Sequence, residues 1–181
     1  MNTATEALSE VKPRDEARHI EAVFREQYPR VARIIARVVR DRARAEELAV
    51  EVLLKLWRSQ KAQRGKVEAW LYRVAVRTAL DELRSRSRRR RYETLFGLLV
   101  RNAAPATPEQ IHRTSEEQER VRLVLSVLEP RQAELLVLRS HGFRYEEVAS
   151  ILGLNPVSVG TLVARAQQAF RKEYTRRYGH E

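Results

Sequence analysis

The sequence predicts an all-α protein of two small helical domains joined by a flexible linker, the second domain containing a helix-turn-helix. Apolar residues recur every three or four positions along most of the chain, and no stretch alternates with period two over the length of a strand. The helical period is broken over residues 92–115, which contain Gly97, Pro105 and Pro108. At 181 residues the chain can bury one or two compact cores.

The first predicted domain spans residues 18–91 and follows a polar N-terminal tail, residues 1–17. Its first helix is expected to end near Asp41. The second helix, within AEELAVEVLLKLW, opens with Glu46 and Glu47, whose negative charge suits a helix N-terminus. One apolar stripe of this helix is expected to face the core, and it consists of Leu48, Ala49, Val52, Leu53, Leu56 and Trp57.

The third helix of this domain begins after Gly65, and its apolar period gives way to arginine. Six arginines lie within residues 84–91, where each can neutralise a backbone phosphate. Upstream, the helix interleaves aromatic and cationic residues, namely Trp70, Tyr72, Arg73 and Arg77. Such a combination stacks on unpaired bases and grips single strands. A solvated charge run and a core tryptophan remain the alternatives.

Residues 92–115 are predicted to be the linker. Their apolar patch over 95–100 is unusual for a bare linker, and we expect a short docking helix there. The second domain, residues 116–181, starts with two helices that stop at Pro130 and Gly142. The stretch YEEVASILGLNPVSVGTLVARAQQAFRK then resumes the period on both sides of a sharp break, which is typical of a helix-turn-helix.

Charge and composition indicate the kind of partner. Lys and Arg number 35 against 24 acidic residues, which gives a net charge of +11 and an isoelectric point near 10.6. This excess favours a polyanionic partner. The chain has no cysteine and no apolar run of membrane-spanning length, so we expect a cytoplasmic protein without disulfides.

The sequence contains no recognisable catalytic constellation. Its four histidines share no ligand spacing with carboxylates, and its six glycines form no phosphate-binding loop. The pairs Glu46–Glu47 and Glu146–Glu147 are explained by helix N-termini. We therefore expect no enzymatic activity, no cofactor and no metal.

The last predicted helix is suited to the major groove of duplex DNA. Ser158, Thr161 and Arg165 are spaced by three and four, so they share a face opposite the apolar stripe. Further along, Arg171 and Lys172 are candidates for phosphate contacts. A helical hairpin that binds no DNA would carry the same stripe, and that alternative stays open.

The order of these parts resembles the extracytoplasmic-function (ECF) group of bacterial RNA polymerase sigma factors. AEELAVEVLLKLW resembles the polymerase-binding helix of that group, and VEAWLYRVAVRTALDELRSR resembles its promoter-melting helix. LEPRQAELLVLRSHGFRYEEVASILGLNPVSVGTLVARAQQAFRK resembles its upstream-element reader. The similarity covers roughly residues 20–91 and 116–174.

The resemblance implies a site for each part. Residues on or beneath the surface that meets the β′ clamp helices of core polymerase would be Glu46, Glu47, Leu48, Glu51, Val52 and Leu53. The minus-ten element would be held by Trp70, Arg73, Arg77, Asp81 and Arg84, and the minus-thirty-five element by Ser158, Thr161 and Arg165. Phosphate contacts would come from Arg86, Arg88, Arg89, Arg171 and Lys172.

The implied partners are core RNA polymerase, through its β′ clamp helices and β flap, and promoter DNA. The resemblance also allows an anti-sigma factor, although nothing in the sequence shows one. The free protein is expected to be monomeric, without a membrane partner, and to initiate transcription of a limited regulon.

The sequence departs from the group at three positions. Val50 stands where members commonly have Gln, Arg77 where they commonly have Asn, and Gly160 where a basic residue is frequent. A long cation replaces a short amide at position 77, which bears on minus-ten preference. Two alternatives remain: a helix-turn-helix regulator that does not initiate transcription, and a helical scaffold with an incidental basic tail.

Overall fold

The computed structural model describes the backbone of residues 13–63, 65–97 and 109–179, and side chains over 21–59, 62–63, 65–92 and 116–179. These residues form eight helices and no strand, so the all-α prediction is confirmed. In chain order the helices are α1 (Pro13–Val39), α2 (Arg42–Trp57), α3 (Gln60–Gln63), α4 (Val67–Gly97), α5 (Glu109–Val127), α6 (Pro130–Ser140), α7 (Tyr145–Leu152) and α8 (Pro156–Tyr178). None of these helices is by itself long and apolar enough to cross a membrane.

Helices α1, α2 and α4 pack together as the N-terminal unit. Asp41 caps α2, because its side chain accepts a hydrogen bond from the Arg44 backbone nitrogen at 3.1 Å. The expectation that Glu46 and Glu47 open this helix is therefore wrong. They lie one turn further on, where Glu46 pairs with Arg42 and Glu47 with Arg44.

Three helix boundaries differ from the expected ones. Helix α1 begins at Pro13, inside the predicted tail, because proline is well tolerated in a first helical turn. Helix α4 continues to Gly97, since the arginines after Leu83 are good helix formers and no glycine or proline interrupts them earlier. Helix α5 already begins at Glu109.

The predicted linker thus shortens to residues 98–108, which lie outside the described residues. The flexibility expected of it stays a prediction. The apolar patch over 95–100 contributes only backbone to the description, as the end of α4, so its docking stays a prediction too.

Helices α5 to α8 form the C-terminal unit, in which α7 and α8 are bent by 93°. Gly153 ends α7 at a φ of 66°, a left-handed conformation that glycine adopts without a Cβ penalty. The Asn155 side chain caps α8 by accepting a hydrogen bond from the Val157 backbone nitrogen at 3.1 Å, and Pro156 follows as the first helical residue. The helix-turn-helix forms where the sequence predicts it.

The two units pack directly against each other through α4. This helix contacts α1 and α2 within its own unit, and α5, α6 and α7 of the C-terminal unit. The buried apolar residues of both units belong to one continuous cluster. Helix α4 is therefore shared between the two cores, and most of its faces are covered.

Candidate nucleic-acid interfaces

Helix α2 presents a mixed acidic and apolar outer face. Leu48, Val52 and Leu53 point into the core and are at most 3% exposed, so they lie beneath this face. The carboxylates of Glu46, Glu47 and Glu51 are on the outside. With them lie three exposed apolar side chains, Val50, Leu54 and Trp57, which are 43%, 42% and 52% exposed.

The sequence analysis missed this outer apolar stripe. It placed Trp57 on the core stripe beside Leu56, although Trp57 is half exposed. The signal was available: positions 50, 54 and 57 are spaced by four and three, which puts them on one helix face. Exposed apolar residues rimmed by charge are typical of a protein-binding surface.

A network of ion pairs fixes α2 against α4. Arg86 Nε donates to Glu82 Oε1 and Arg86 Nη2 to Asp41 Oδ2, both at 2.9 Å. Arg44 Nη2 donates to Glu82 Oε2 at 3.2 Å. Burial acts to raise the pKa of Glu82, but hydrogen bonds from Arg86 and Arg44 outweigh it and the pKa is lowered. Glu82 therefore stays ionised and holds the two helices in register.

This network engages Arg86, one of the predicted phosphate contacts. The Arg86 guanidinium is two-thirds buried and already paired with two carboxylates. Arg88 and Arg89, by contrast, are exposed. The candidate phosphate contacts at this end of α4 therefore reduce to Arg88 and Arg89.

The predicted minus-ten residues do share one face of α4, since positions 70, 73, 77, 81 and 84 are spaced by three or four. Trp70 is half-buried against the core, Arg73 is half-buried, and Asp81 is exposed with its Oδ1 at 3.4 Å from Arg84 Nη1. Arg77 Nε donates to Glu134 Oε1 of α6 at 2.7 Å. The C-terminal unit thus meets this face.

Tyr72 is not available for base stacking in this structure. Its side chain is 6% exposed, and its hydroxyl donates to Gln27 Oε1 at 3.0 Å while accepting from Arg30 Nη1 at 3.2 Å. Its ring lies 5.3 Å from that of Phe143, between centroids. Of the aromatic and cationic set on α4, Tyr72 therefore has a structural role, as a packing contact between the units.

Helix α8 packs through one narrow stripe, formed by Val159, Val163 and Ala166. Thr161 and Arg165 lie outside this stripe and are exposed. Ser158 is half-buried, and its hydroxyl donates to the Asn155 carbonyl oxygen at 2.8 Å, so it belongs to the cap. One turn before Thr161, Val157 is 89% exposed, and the sequence analysis did not consider it.

Exposed Val157, Thr161 and Arg165 therefore form the outward face of the first turns of α8. A methyl group suits contact with thymine, a threonine hydroxyl can bond either kind of base, and arginine can pair bidentately with guanine. Towards the helix end, Arg171 and Lys172 are exposed. Nearby, hydrogen bonds from Arg176 and Arg177 lower the pKa of Glu173 to about 2.

A cleft of about 830 Å³ lies between the units, lined by the end of α1, the start of α2, and α5, α6 and α8. His141 borders it, with Nδ1 2.8 Å from the Val137 carbonyl oxygen. Burial lowers the pKa of His141, and the positive charge of Arg37 across the cleft acts in the same direction.

Comparison with known proteins identifies both units. Residues 23–89 match the family model for sigma-70 region 2, and residues 118–169 match the model for sigma-70 region 4. The two matches cover well over half of the chain, in the order that the sequence analysis expected.

Three relatives carry sigma-factor names. A probable RNA polymerase sigma factor RfaY of Xanthomonas campestris is 31% identical over 82% of this chain and 38% of the relative. The ECF RNA polymerase sigma factor SigE of Mycolicibacterium smegmatis is 29% identical over 88% of this chain and 62% of the relative. The ECF RNA polymerase sigma factor SigK of Mycobacterium bovis is 29% identical over 86% of each chain.

Among solved structures, the sigma factor RpoE in complex with the anti-sigma factor NepR from Bartonella quintana aligns over 86% of this chain and 96% of that one. The identity is 22% and the TM-score 0.47. The chain thus spans less than two thirds of the length of two curated relatives and most of the length of the third. With sigma-70 regions 2 and 4 in this order and ECF factors among its relatives, the chain belongs to the ECF group of RNA polymerase sigma factors.

Proposed function

We propose that this chain is a non-catalytic initiation factor of the bacterial cytoplasm, which binds core RNA polymerase, directs it to a small set of promoters and helps to open the DNA. The observation that carries this proposal is the division of exposed chemistry among three helices. An apolar and acidic face lies on α2, a row of cations on α4, and a groove-sized reading face on α8.

The polymerase contact is assigned to the outer face of α2. Val50, Leu54 and Trp57 supply apolar area, and Glu47 and Glu51 supply charge beside it. Such a surface suits the β′ clamp helices that the family resemblance implies, because apolar anchors inside a charged rim give both affinity and orientation. Leu48, Val52 and Leu53 shape this face from beneath.

The two DNA elements are assigned to different helices. On α8, Val157, Thr161 and Arg165 would read base edges of the minus-thirty-five element, and Arg171 and Lys172 would contact phosphate. On α4, Trp70, Arg73, Arg77 and Arg84 would hold the opened minus-ten strand, with Arg88 and Arg89 on its phosphates. Asp81 would orient Arg84 through the pair at 3.4 Å.

Transcription in vitro tests this function. Purified bacterial core polymerase is mixed with the protein and fragmented DNA from its own genome, and transcript starts are mapped against a reaction without the protein. We expect new starts that share an upstream pair of short elements. DNA binding without any new start would contradict initiation and favour a helix-turn-helix regulator.

A matched pair of variants locates the polymerase contact in the same assay. Leu54→Asp places a charge on the exposed stripe and is expected to abolish co-purification with core polymerase. Lys55→Asp, on an exposed neighbouring residue of the same helix, introduces the same side chain next to the stripe and is the control. Equal retention of polymerase by both variants would remove this stripe from the interface.

A further inference from the structure

We propose that the chain closes on itself: the face of α4 that would hold the opened promoter strand is also the binding surface of the C-terminal unit, so that strand and C-terminal unit compete for it. The inference rests on the proposed function, because the competing ligand is the strand assigned to α4 there. The consequence is a free factor that shields its strand-capturing helix until the C-terminal unit moves away.

An ion pair at the centre of this face supports the competition. Arg77 Nε lies 2.7 Å from Glu134 Oε1, and the Glu134 side chain is only 6% exposed. The other carboxylate oxygen of Glu134 is 3.3 Å from Arg131 Nη1. Glu134 therefore presents to Arg77 an anionic oxygen pair of the kind that a DNA phosphate would present.

Further contacts extend along α4 in both directions. Upstream, the Tyr72 ring packs on Phe143. Downstream, Arg84 Nη2 donates to the Leu128 carbonyl oxygen at 3.5 Å, and Arg90 pairs with Glu119. From Tyr72 to Arg90 the helix rises by about 27 Å. The C-terminal unit thus covers the whole length that a captured strand would occupy.

The geometry of a promoter requires this contact to open. The minus-ten and minus-thirty-five elements are separated by roughly 25 base pairs, or about 85 Å of duplex at 3.4 Å per pair. In the closed chain α4 touches α7, which packs on α8, and even the 31 residues of α4 extend only about 47 Å. One closed molecule cannot place α4 and α8 on both elements together.

The closed interface also contains polar atoms that favour opening. Within the described part of the chain, Gln118 Oε1, Arg122 Nη1 and His141 Nε2 are buried without a hydrogen-bond partner. All three residues line the cleft between the units. A buried polar atom without a partner loses its hydration and gains nothing in return. Separation of the units lets water reach these atoms, so closure is reversible.

A disulfide clamp tests the proposal. Ser87 Oγ of α4 and Ser126 Oγ of α5 lie 3.4 Å apart, and the chain has no cysteine of its own. In the full chain, the double variant Ser87→Cys with Ser126→Cys should form a disulfide on mild oxidation. The two single-cysteine variants, oxidised in the same way, are the controls.

Two activities are measured before and after reduction of the double variant: binding of a short fluorescein-labelled single strand of mixed sequence, and initiation with core polymerase. We expect the oxidised form to lose roughly tenfold or more in both, because Arg77 and Arg84 cannot reach the strand. Reduction should restore both activities to the level of the single variants.

Failure of the disulfide to form in the folded chain would show that the units are not adjacent in solution and would overturn the closure. A clamped protein that binds single strands and initiates as well as the reduced form would overturn the competition. Absence of initiation by the wild-type and reduced proteins would instead overturn the proposed function, while disulfide yield and strand binding would still decide closure.

Discussion

Helices α4 and α8 carry the two sets of candidate DNA contacts, and the fold treats them in opposite ways. On α8, Val157, Thr161 and Arg165 face solvent. On α4, Arg77 and Arg84 are engaged by residues of the C-terminal unit. The difference indicates that duplex reading needs no rearrangement of the chain, whereas strand capture needs one.

The physical reason lies in how many neighbours each helix has. Helix α8 uses a single stripe of small and branched side chains to pack on its unit, so the remaining faces stay open. Helix α4 is packed against α1 and α2 on one side and against α5, α6 and α7 on the other. A helix shared by two cores can expose a polar face only when one of those cores moves.

The largest expected effect concerns the open helix. Arg165→Ala should weaken binding of the free protein to its duplex upstream element by about 1–3 kcal/mol, because a bidentate contact to a base is lost. Binding is measured by fluorescence anisotropy at one fixed salt concentration. Arg176→Ala is the control, since Arg176 is held by Glu173 at 2.6 Å. Equal losses in both variants would mean that Arg165 acts only through its charge.

The turn before α8 should be the next most sensitive point. Gly153→Ala should lower the free energy of unfolding by about 1–2 kcal/mol, because the residue has a φ of 66°. Gly160→Ala is the matched control: its added Cβ would be 3.5 Å from the Tyr145 ring, an ordinary contact, and alanine favours the helix. Thermal unfolding measures both. A Gly153→Ala variant as stable as Gly160→Ala would contradict the turn geometry.

The covered helix should respond to loss of its partner. Glu134→Gln removes the carboxylate that holds Arg77 and should tighten single-strand binding by the free protein by roughly three- to tenfold. Duplex binding through α8 should not change. Arg131→Gln, which removes the other partner of Glu134, is the control and should leave single-strand affinity unaltered. Single-strand affinity that does not rise would show that Arg77 is not the group being shielded.

The smallest expected effect is a dependence of closure on pH. Burial lowers the pKa of His141, so the closed chain binds a proton less readily than the open one. As pH falls below about 6.5, the open form gains protons and closure weakens. The charged residues lining the same cleft are Arg37, Arg40, Asp41, Arg42, Glu117, Arg122 and Arg171, mostly cations that disfavour further positive charge.

Energy transfer between dyes on the two units, followed from pH 8 to pH 5.5 or so, measures this effect. His141→Gln cannot titrate and is expected to flatten the profile. A profile that stays unchanged in the variant would assign the pH dependence to other groups.

Much of the fold could be predicted from local patterns. The apolar period locates α2, α4 and α8, and Gly153 with Asn155 locates the turn of the helix-turn-helix. The errors were local as well. Asp41 was not recognised as the cap of α2, and the ends of α4 and α5 were placed too early and too late, since arginine-rich segments can be helical without an apolar period.

The candidate site was predicted less completely, for a different reason. Helical spacing tells which residues share a face, but it does not tell which face meets solvent. Trp57 was placed inside and is outside, whereas Tyr72 was offered to bases and is bonded to Gln27. Arg86 was assigned to phosphate and is paired with Glu82 and Asp41.

By itself the sequence determined the helical class, the order of the two units and their family, because each depends on residues close together in the chain. Only the tertiary structure decided which of those faces are free. The contact between Arg77 and Glu134 joins residues 57 positions apart, and no period within either helix encodes it. Such pairings arise when two cores pack on one helix, and here they make strand capture depend on the position of the C-terminal unit.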